Sequence, residues 1–242
     1  MDVISIKVNL IITVKDGFTG LPELKGRVTV KTQGGHYAEK RSGGCFVFIR
    51  CNEGLHRIII ESENYQTVSF DAVIGETPET VEVTLRPSRT YPFFGSVTKL
   101  FGRVAEGVGD IKAAFIASPS EARLQNSHKK GNSSIKMFLG RPVPESCTGL
   151  CLAQNGRAEV YKAVKDPDEV MTVTVDPPLI EDVTADAQVG FVYDVLPDEN
   201  GEYFTAVRGK YSTALMIADG KVIEAELSDD ESGTIIDLTG GE

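Results

Sequence analysis

The chain has 242 residues, 41% of them hydrophobic, and 25 Lys and Arg against 35 Asp and Glu leave a formal net charge of −10. That content can bury the cores of two small domains, and no run reaches the roughly 18 apolar residues needed to span a bilayer. The charge is unevenly placed: residues 1–90 are neutral, 91–165 carry +6 and 166–242 carry −16. Such a C-terminal field repels nucleic acid and anionic lipid, while the basic middle suits an acidic surface on a neighbouring copy or partner.

Tryptophan is absent, and Val, Ile and Thr recur in short runs broken by 24 Gly and 11 Pro, which is an all-β style of sequence. The opening residues 1–7 lack a basic segment followed by an apolar stretch of signal-peptide length, so the chain is expected to be cytoplasmic or exported without a cleaved signal. A β-prone run over 3–14 ends in the turn chemistry of Asp16-Gly17 and Thr19-Gly20-Leu21-Pro22. Strands are then expected at 28–30, 45–50, 57–61, 67–70 and 81–85, the spacing of a compact antiparallel sandwich over 1–88. Cys45 and Cys51 fall in one such strand, roughly 20 Å apart, too far to pair.

Particular residues here carry a family likeness. Asp16 through Pro22, the Ser-Gly-x-x-Phe opening at Ser42, the Gly54-Leu55-His56 hairpin, the Asn64-Tyr65 turn and the Val-x-Val-x-Leu-x-Pro ending at Pro87 resemble the carboxypeptidase regulatory-like, or transthyretin-like, β-sandwich. The likeness covers about a third of the chain. The family's usual Asp-Gly is replaced by Gly43-Gly44, and its Gly-Tyr by Asn64-Tyr65. The resemblance implies a non-catalytic module attached to enzymes, surface proteins or assemblies.

Residues 89–134 read as a connector. Val97, Leu100, Phe101, Val104, Val108, Ile111 and Phe115 fall at steps of three or four, with Ser96 to cap and Pro119 to stop, so the spacing predicts an amphipathic helix over 97–117. Gly102, Gly107 and Gly109 oppose it at about 1 kcal/mol each. Its apolar stripe is expected to pack against a domain or an identical neighbour. The polar stretch 125–134 reads as a flexible loop.

From 135 to 242 an acidic second β domain is expected, a sandwich or barrel of nine runs: 135–139, 150–153, 158–164, 170–175, 189–195, 203–207, 214–217, 222–227 and 234–238. Its last part, Asn200 to Leu238, repeats in looser form the order of strands and turns between Ser42 and Leu85.

Chemistry-bearing residues are scattered. His36-Tyr37-Ala38-Glu39 has a spacing used by zinc carboxypeptidases, yet His56 and His128 supply no convincing third ligand. Cys147-Thr148-Gly149-Leu150-Cys151 lacks the two-residue gap of zinc knuckles and thioredoxin-like motifs, and two ordinary thiols are the favoured reading. The acidic turns 166–169, 198–202 and 228–232 hold oxygen ligands for calcium without completing a calcium loop. There is no Gly-x-Ser-x-Gly elbow or phosphate-binding Gly-Lys-Ser/Thr loop, and the ending Thr239-Gly240-Gly241-Glu242 departs from the Tyr-Arg-Gly-Ser of transthyretin-related hydrolases.

The expectation is therefore a non-catalytic structural or protein–protein interaction protein, a component of a larger assembly of phage-tail-like or cell-surface type, with no catalytic, metal or cofactor site and no cofactor. It recruits a protein partner or a second copy, and neither nucleic acid nor a small molecule is the expected ligand. The alternative is a carbohydrate- or calcium-binding surface module, with calcium held at the acidic turns or an aromatic patch of Tyr37, Tyr65, Tyr91, Phe93 and Phe94. An enzyme of unrecognised type is the third reading.

Overall fold

The computed structural model describes residues 8–75, 77–140, 143, 146–165, 171–228 and 233–238. Every regular element among them is a strand, and they fall into two compact units, Met1–Phe94 and Gly95–Glu242.

The first unit contains β1 (Val8–Asp16), β2 (Val28–Thr32), β3 (Glu39–Lys40), β4 (Cys45–Ile49), β5 (Gly54–Ser62), β6 (Val68–Ile74) and β7 (Glu79–Leu85). They form two sheets, ordered β3-β4-β1-β7 and β2-β5-β6. Alternation dictates the layering: Leu10, Ile12 and Val14 point inward from β1 with Phe46 and Phe48 of β4, against Val28, Val30, Ile58 and Ile60 of the other sheet. Each such side chain contributes about 1.5–3 kcal/mol by leaving water. The sheets are not purely antiparallel, because β7 runs parallel to β1 with Ile12 beside Val81. Cys45 opens β4 and Cys51 lies beyond its end, and both thiols are free.

The second unit contains β8 (Val97–Arg103), β9 (Ile111–Ile116), β10 (Ala122–Leu124), β11 (Ser134–Leu139), β12 (Gly149–Gln154), β13 (Arg157–Lys165), β14 (Thr172–Asp176), β15 (Gln188–Val195), β16 (Glu202–Arg208), β17 (Thr213–Ala218), β18 (Lys221–Glu226) and β19 (Thr234–Ile235). A nine-stranded sheet runs β10-β11-β14-β13-β12-β15-β9-β17-β18, and a three-stranded sheet runs β16-β8-β19.

The helix expected over 97–117 is not formed. Val97–Arg103 is instead the middle strand of the smaller sheet, paired with β16 from Val97↔Arg208 to Arg103↔Glu202 and with β19 on its other side. Burial there alternates, with Thr98, Leu100 and Gly102 inside. The three-and-four spacing came from two strands joined through a turn at Glu106-Gly107, and the three glycines already weighed against a helix. Nor is 89–134 a connector: β8 to β10 belong to the sheets of the second unit, which begins at Gly95 rather than at 135. Within the supposed flexible loop, His128 pairs with Val183 through two backbone hydrogen bonds of 2.8 and 2.9 Å.

The looser C-terminal repeat has a structural counterpart. In the first unit β1 is flanked by antiparallel β4 and parallel β7, while the β5-β6 hairpin pairs with β2 in the opposite sheet. In the second, β8 is flanked by antiparallel β16 and parallel β19, while the β17-β18 hairpin pairs with β9. The registers agree: Ile12 faces Phe46 and Val81, and Gly102 faces Tyr203 and Ile236. What distinguishes the second unit is the stretch between β9 and β16, whose six strands β10 to β15 extend the β9 edge.

Candidate functional site

In the centre of the nine-stranded sheet both faces are apolar. Phe115, Leu150, Leu152, Phe191 and Met216 join the main core, whereas their neighbours Ala114, Cys151, Val192 and Leu215 form a separate buried cluster on the other face. If the sheet were flat, β13 and β18 would stand roughly 24 Å apart, five strand spacings of about 4.8 Å. Ala158 of β13 and Val222 of β18 nevertheless line the same two cavities, so the sheet curls into a half-barrel and this second cluster is the floor of its concave face. Small side chains permit the curl. A Cβ added at Gly190 would lie 3.1 Å from Ile116 Cδ1 and 3.4 Å from both Ala114 Cβ and Cys151 Cβ, contacts that a bending sheet would tighten.

The groove opens at both ends. One end, about 340 Å³, is bordered by Gln154, Arg157, Asp186, Gln188 and Glu224. Gln154 holds its rim: Nε2 donates to the Asp182 carbonyl at 2.6 Å, and Oε1 accepts from the Thr184 amide and hydroxyl, both at 3.1 Å. The other end, about 990 Å³, carries Asp110, Glu159, Asp176, Asp194 and Asp219 against Lys112 and Lys162. Some of these charges are engaged locally: Lys112 pairs with Asp110, Thr148 Oγ1 donates to Asp194 at 3.2 Å, and Asp219 accepts from the Gly109 amide at 3.3 Å. An acidic excess remains, and neither end is lined by an aromatic ring.

The edge beside the groove is β18, the last strand of its sheet. The Leu227 amide donates to the Ser212 carbonyl at 2.8 Å. Carried along the register, this turns the amides of residues 225, 223 and 221 toward β17 and those of Val222, Glu224 and Glu226 outward. Val222 and Ile223 are 38% and 43% exposed.

The first unit holds a different polar centre. Asp16 is fully buried at the end of β1. Its Oδ2 accepts from the hydroxyls of Tyr65 (2.7 Å) and Tyr91 (2.6 Å), and its Oδ1 from the amides of Phe18 (2.7 Å) and Thr19 (3.0 Å). The Tyr65 oxygen also accepts from the Lys25 amide at 2.8 Å. Burial and the adjoining Asp16 carboxylate hold the Tyr65 phenol well above its ordinary range. Four donors on one carboxylate satisfy its lone pairs and leave none for chemistry, so this is a structural lock. Read as turn chemistry, Asp16 gave no sign of it.

The residues singled out in the sequence remain apart. His36 Nε2 lies 3.2 Å from the Ile49 carbonyl, while Glu39 pairs with Arg41 at 2.5 Å. His56 Nε2 contacts the Asn52 carbonyl at 2.8 Å, and His128 Nε2 accepts from the Lys136 amide at 3.1 Å. Among the described residues no three His, Cys, Asp or Glu gather to hold a metal ion. Cys147 and Cys151 are unbridged: the first thiol donates to the Gly149 carbonyl at 2.9 Å, and the second lies in the groove floor, where burial pushes its pKa up to about 12. In the turn 198–202, Asp198 Oδ1 is already used by the amides of Asn200 and Glu202, both at 2.9 Å. Residues 166–169, 229–232 and 239–242 lie outside the described residues. The supposed aromatic patch does not present itself as one: Tyr65 and Tyr91 are 2% and 3% exposed, with both hydroxyls on Asp16.

The groove went unrecognised because its residues come from seven strands spread along the second unit. One signal was available. The unbroken apolar runs Leu150-Cys151-Leu152-Ala153 and Phe191-Val192-Tyr193 imply strands buried on both faces.

No protein-family model matches the chain, and no curated protein matches it. Among the solved structures that are similar at a low level are the following three. A Bacteroides uniformis protein described as a candidate carbohydrate binder is 12% identical, with 90% of this chain and 98% of that one covered, at a TM-score of 0.27. The Bacillus anthracis TIE protein is 10% identical over 97% of this chain and 50% of its own, at 0.26. BcpA, the major pilin subunit of Bacillus cereus, is 9% identical over 90% and 66%, at 0.25. At such TM-scores the likeness carries no functional inference. No helix among the described residues is long and apolar enough to cross a membrane.

Proposed function

We propose that this chain is a non-catalytic interaction protein, a component of a larger assembly, built on a carboxypeptidase regulatory-like sandwich followed by an enlarged version of the same topology. The observation that carries the reading is the concave groove of the second unit, continuous with the edge of β18, which pairs with no further strand among the described residues. Exposed strand edges recruit other chains through main-chain hydrogen bonds, and an adjoining groove supplies selectivity through side chains. An enzyme would need a nucleophile or acid–base pair held together in a pocket. Here the buried carboxylate of Asp16 is saturated by donors and the buried thiol of Cys151 is held protonated. A sugar site would be favoured by an aromatic platform, and the groove is lined by none.

The test is cross-linking of the purified chain in extract of its native host, with quantitative mass spectrometry of what is captured and light scattering of the chain alone at low and about 0.5 M salt. A reproducible protein partner or a salt-sensitive oligomer, with cross-links on the second unit, is the expected result. A monomer that captures nothing above background overturns the reading, as does turnover of any substrate in a hydrolase panel.

A further inference from the structure

We infer that β18 is a docking edge for an extended segment of a partner protein in which Lys or Arg alternates with apolar residues. This rests on the reading of the chain as an interaction protein and names the chemistry of its partner. The outward amides of Val222, Glu224 and Glu226 form a regular row at the sheet edge, the pattern an added strand completes. The two faces of β18 differ. Val222 and Glu224 line the groove, while Ala225 packs toward the main core and Ile223 stands 43% exposed on that same side. A strand laid along β18 continues this alternation. On one face its side chains meet Glu224 and the acidic end of the groove, where five carboxylates stand against two lysines. On the other face they meet Ile223. Basic residues answer the first and apolar residues the second.

Charge also decides between a foreign strand and a second copy. Antiparallel self-pairing centred on Ile223 sets Glu224 opposite Val222, and one centred on Glu224 sets that carboxylate opposite itself. The second sets like charges directly opposite, which destabilises a ladder, and both bring two strands carrying Glu224 and Glu226 together within a −16 segment. A basic partner strand removes that repulsion.

The experiment uses the full chain, isotope-labelled for amide NMR, and a fluorescent synthetic peptide alternating Lys and Val over about eight residues, with a Glu-Val peptide and a scrambled Lys-Lys-Val-Val peptide of equal length as controls. The expected result is saturable binding of the Lys-Val peptide, with the largest shifts at the amides of Val222, Glu224 and Glu226. The acidic peptide is expected not to bind and the scrambled one to bind at least about tenfold more weakly. Glu224→Pro, which removes an outward donor at an edge where proline is tolerated, weakens binding about tenfold or more. Glu224→Lys does the same by reversing the charge and keeps the donor. Equal affinity for the basic and acidic peptides, or affinity unchanged in both folded variants, overturns the inference. So does a dimer of the free chain joined through β18. A native partner whose footprint lies wholly on the first unit also overturns it while leaving the chain an interaction protein; absence of any partner removes both.

Discussion

Gly44 and Gly201 occupy the same place in the two units. Each precedes the strand that pairs antiparallel with the unit's first strand, each has a positive φ (70° and 74°), and each carbonyl accepts from a valine amide across the ladder, Val14 at 2.8 Å and Val104 at 2.9 Å. A Cβ at Gly44 would fall 2.3 Å from the Val14 carbonyl oxygen, and one at Gly201 would fall 2.8 Å from that of Val104. Both positions exclude a side chain by conformation and by contact. Gly44→Ala and Gly201→Ala are each expected to destabilise by about 1–3 kcal/mol, with Gly44→Ala the more damaging. Urea melts of each variant, followed unit by unit by hydrogen exchange, check this; alanine tolerated at Gly44 would contradict the shared geometry.

Removing one donor from the Asp16 lock should be felt without disrupting the fold. Tyr65→Phe keeps the ring packed against Tyr91 at a centroid distance of 5.5 Å but deprives Asp16 of a hydroxyl and leaves the Lys25 amide without its acceptor. A loss of about 1–3 kcal/mol is expected, measured as the shift of the urea midpoint. Asp16→Ala strands two phenols and two amides together and is expected to cost more than Tyr65→Phe.

The thiols should differ sharply in reactivity. Burial raises Cys147 and, to about 12, Cys151, so thiolate is scarce at both near neutral pH. Cys45, Cys51 and Cys147 are all partly covered, and burial raises Cys51 as well. In a timed alkylation at about pH 8, Cys45 is expected to be modified first, Cys51 and Cys147 more slowly, and Cys151 only when denaturant opens the second unit. Early labelling of Cys151 would mean that the groove floor is open to reagent.

Stability should fall on the alkaline side. Burial raises the native pKa of Cys151 above its ordinary 9.0, and those of Tyr65 and Tyr203 above 10.0, with Asp16 beside the one tyrosine and Asp237 beside the other. The unfolded chain therefore loses these protons first as pH rises, and the native state holds more of them. Their contribution is complete below the unfolded values and is lost as pH climbs toward the native ones. The urea midpoint is expected to decline from about pH 9 upward, and less steeply in Tyr65→Phe. An unchanged slope in that variant would show that Tyr65 does not carry the effect.

Strand content was legible along most of the chain because period-two alternation is a local property. All nine runs expected after residue 134 correspond to β11 through β19 with shifted ends, and the order of strands between Ser42 and Leu85 does return between Asn200 and Leu238 as equivalent pairings. Residues 97–117 were misread for an equally physical reason. Local spacing cannot tell one helix from two strands with a turn between them, and the partners that settle the matter, β16 and β19 for β8 and β15 and β17 for β9, lie about 75 or more positions later in the chain.

By itself the sequence determined an all-β protein and an acidic C-terminal third, because composition, alternation and turn residues act over a few positions. Only the tertiary structure decided that Asp16 is a saturated buried carboxylate rather than an exposed turn residue, and that six inserted strands widen the second unit's sheet. It also decided that the sheet curls until Ala158 and Val222 line the same cavities. These outcomes depend on which edges find each other and on the small side chains at Ala114, Cys151 and Gly190 lying together on one face. That is a property of register between distant strands, which no local window contains.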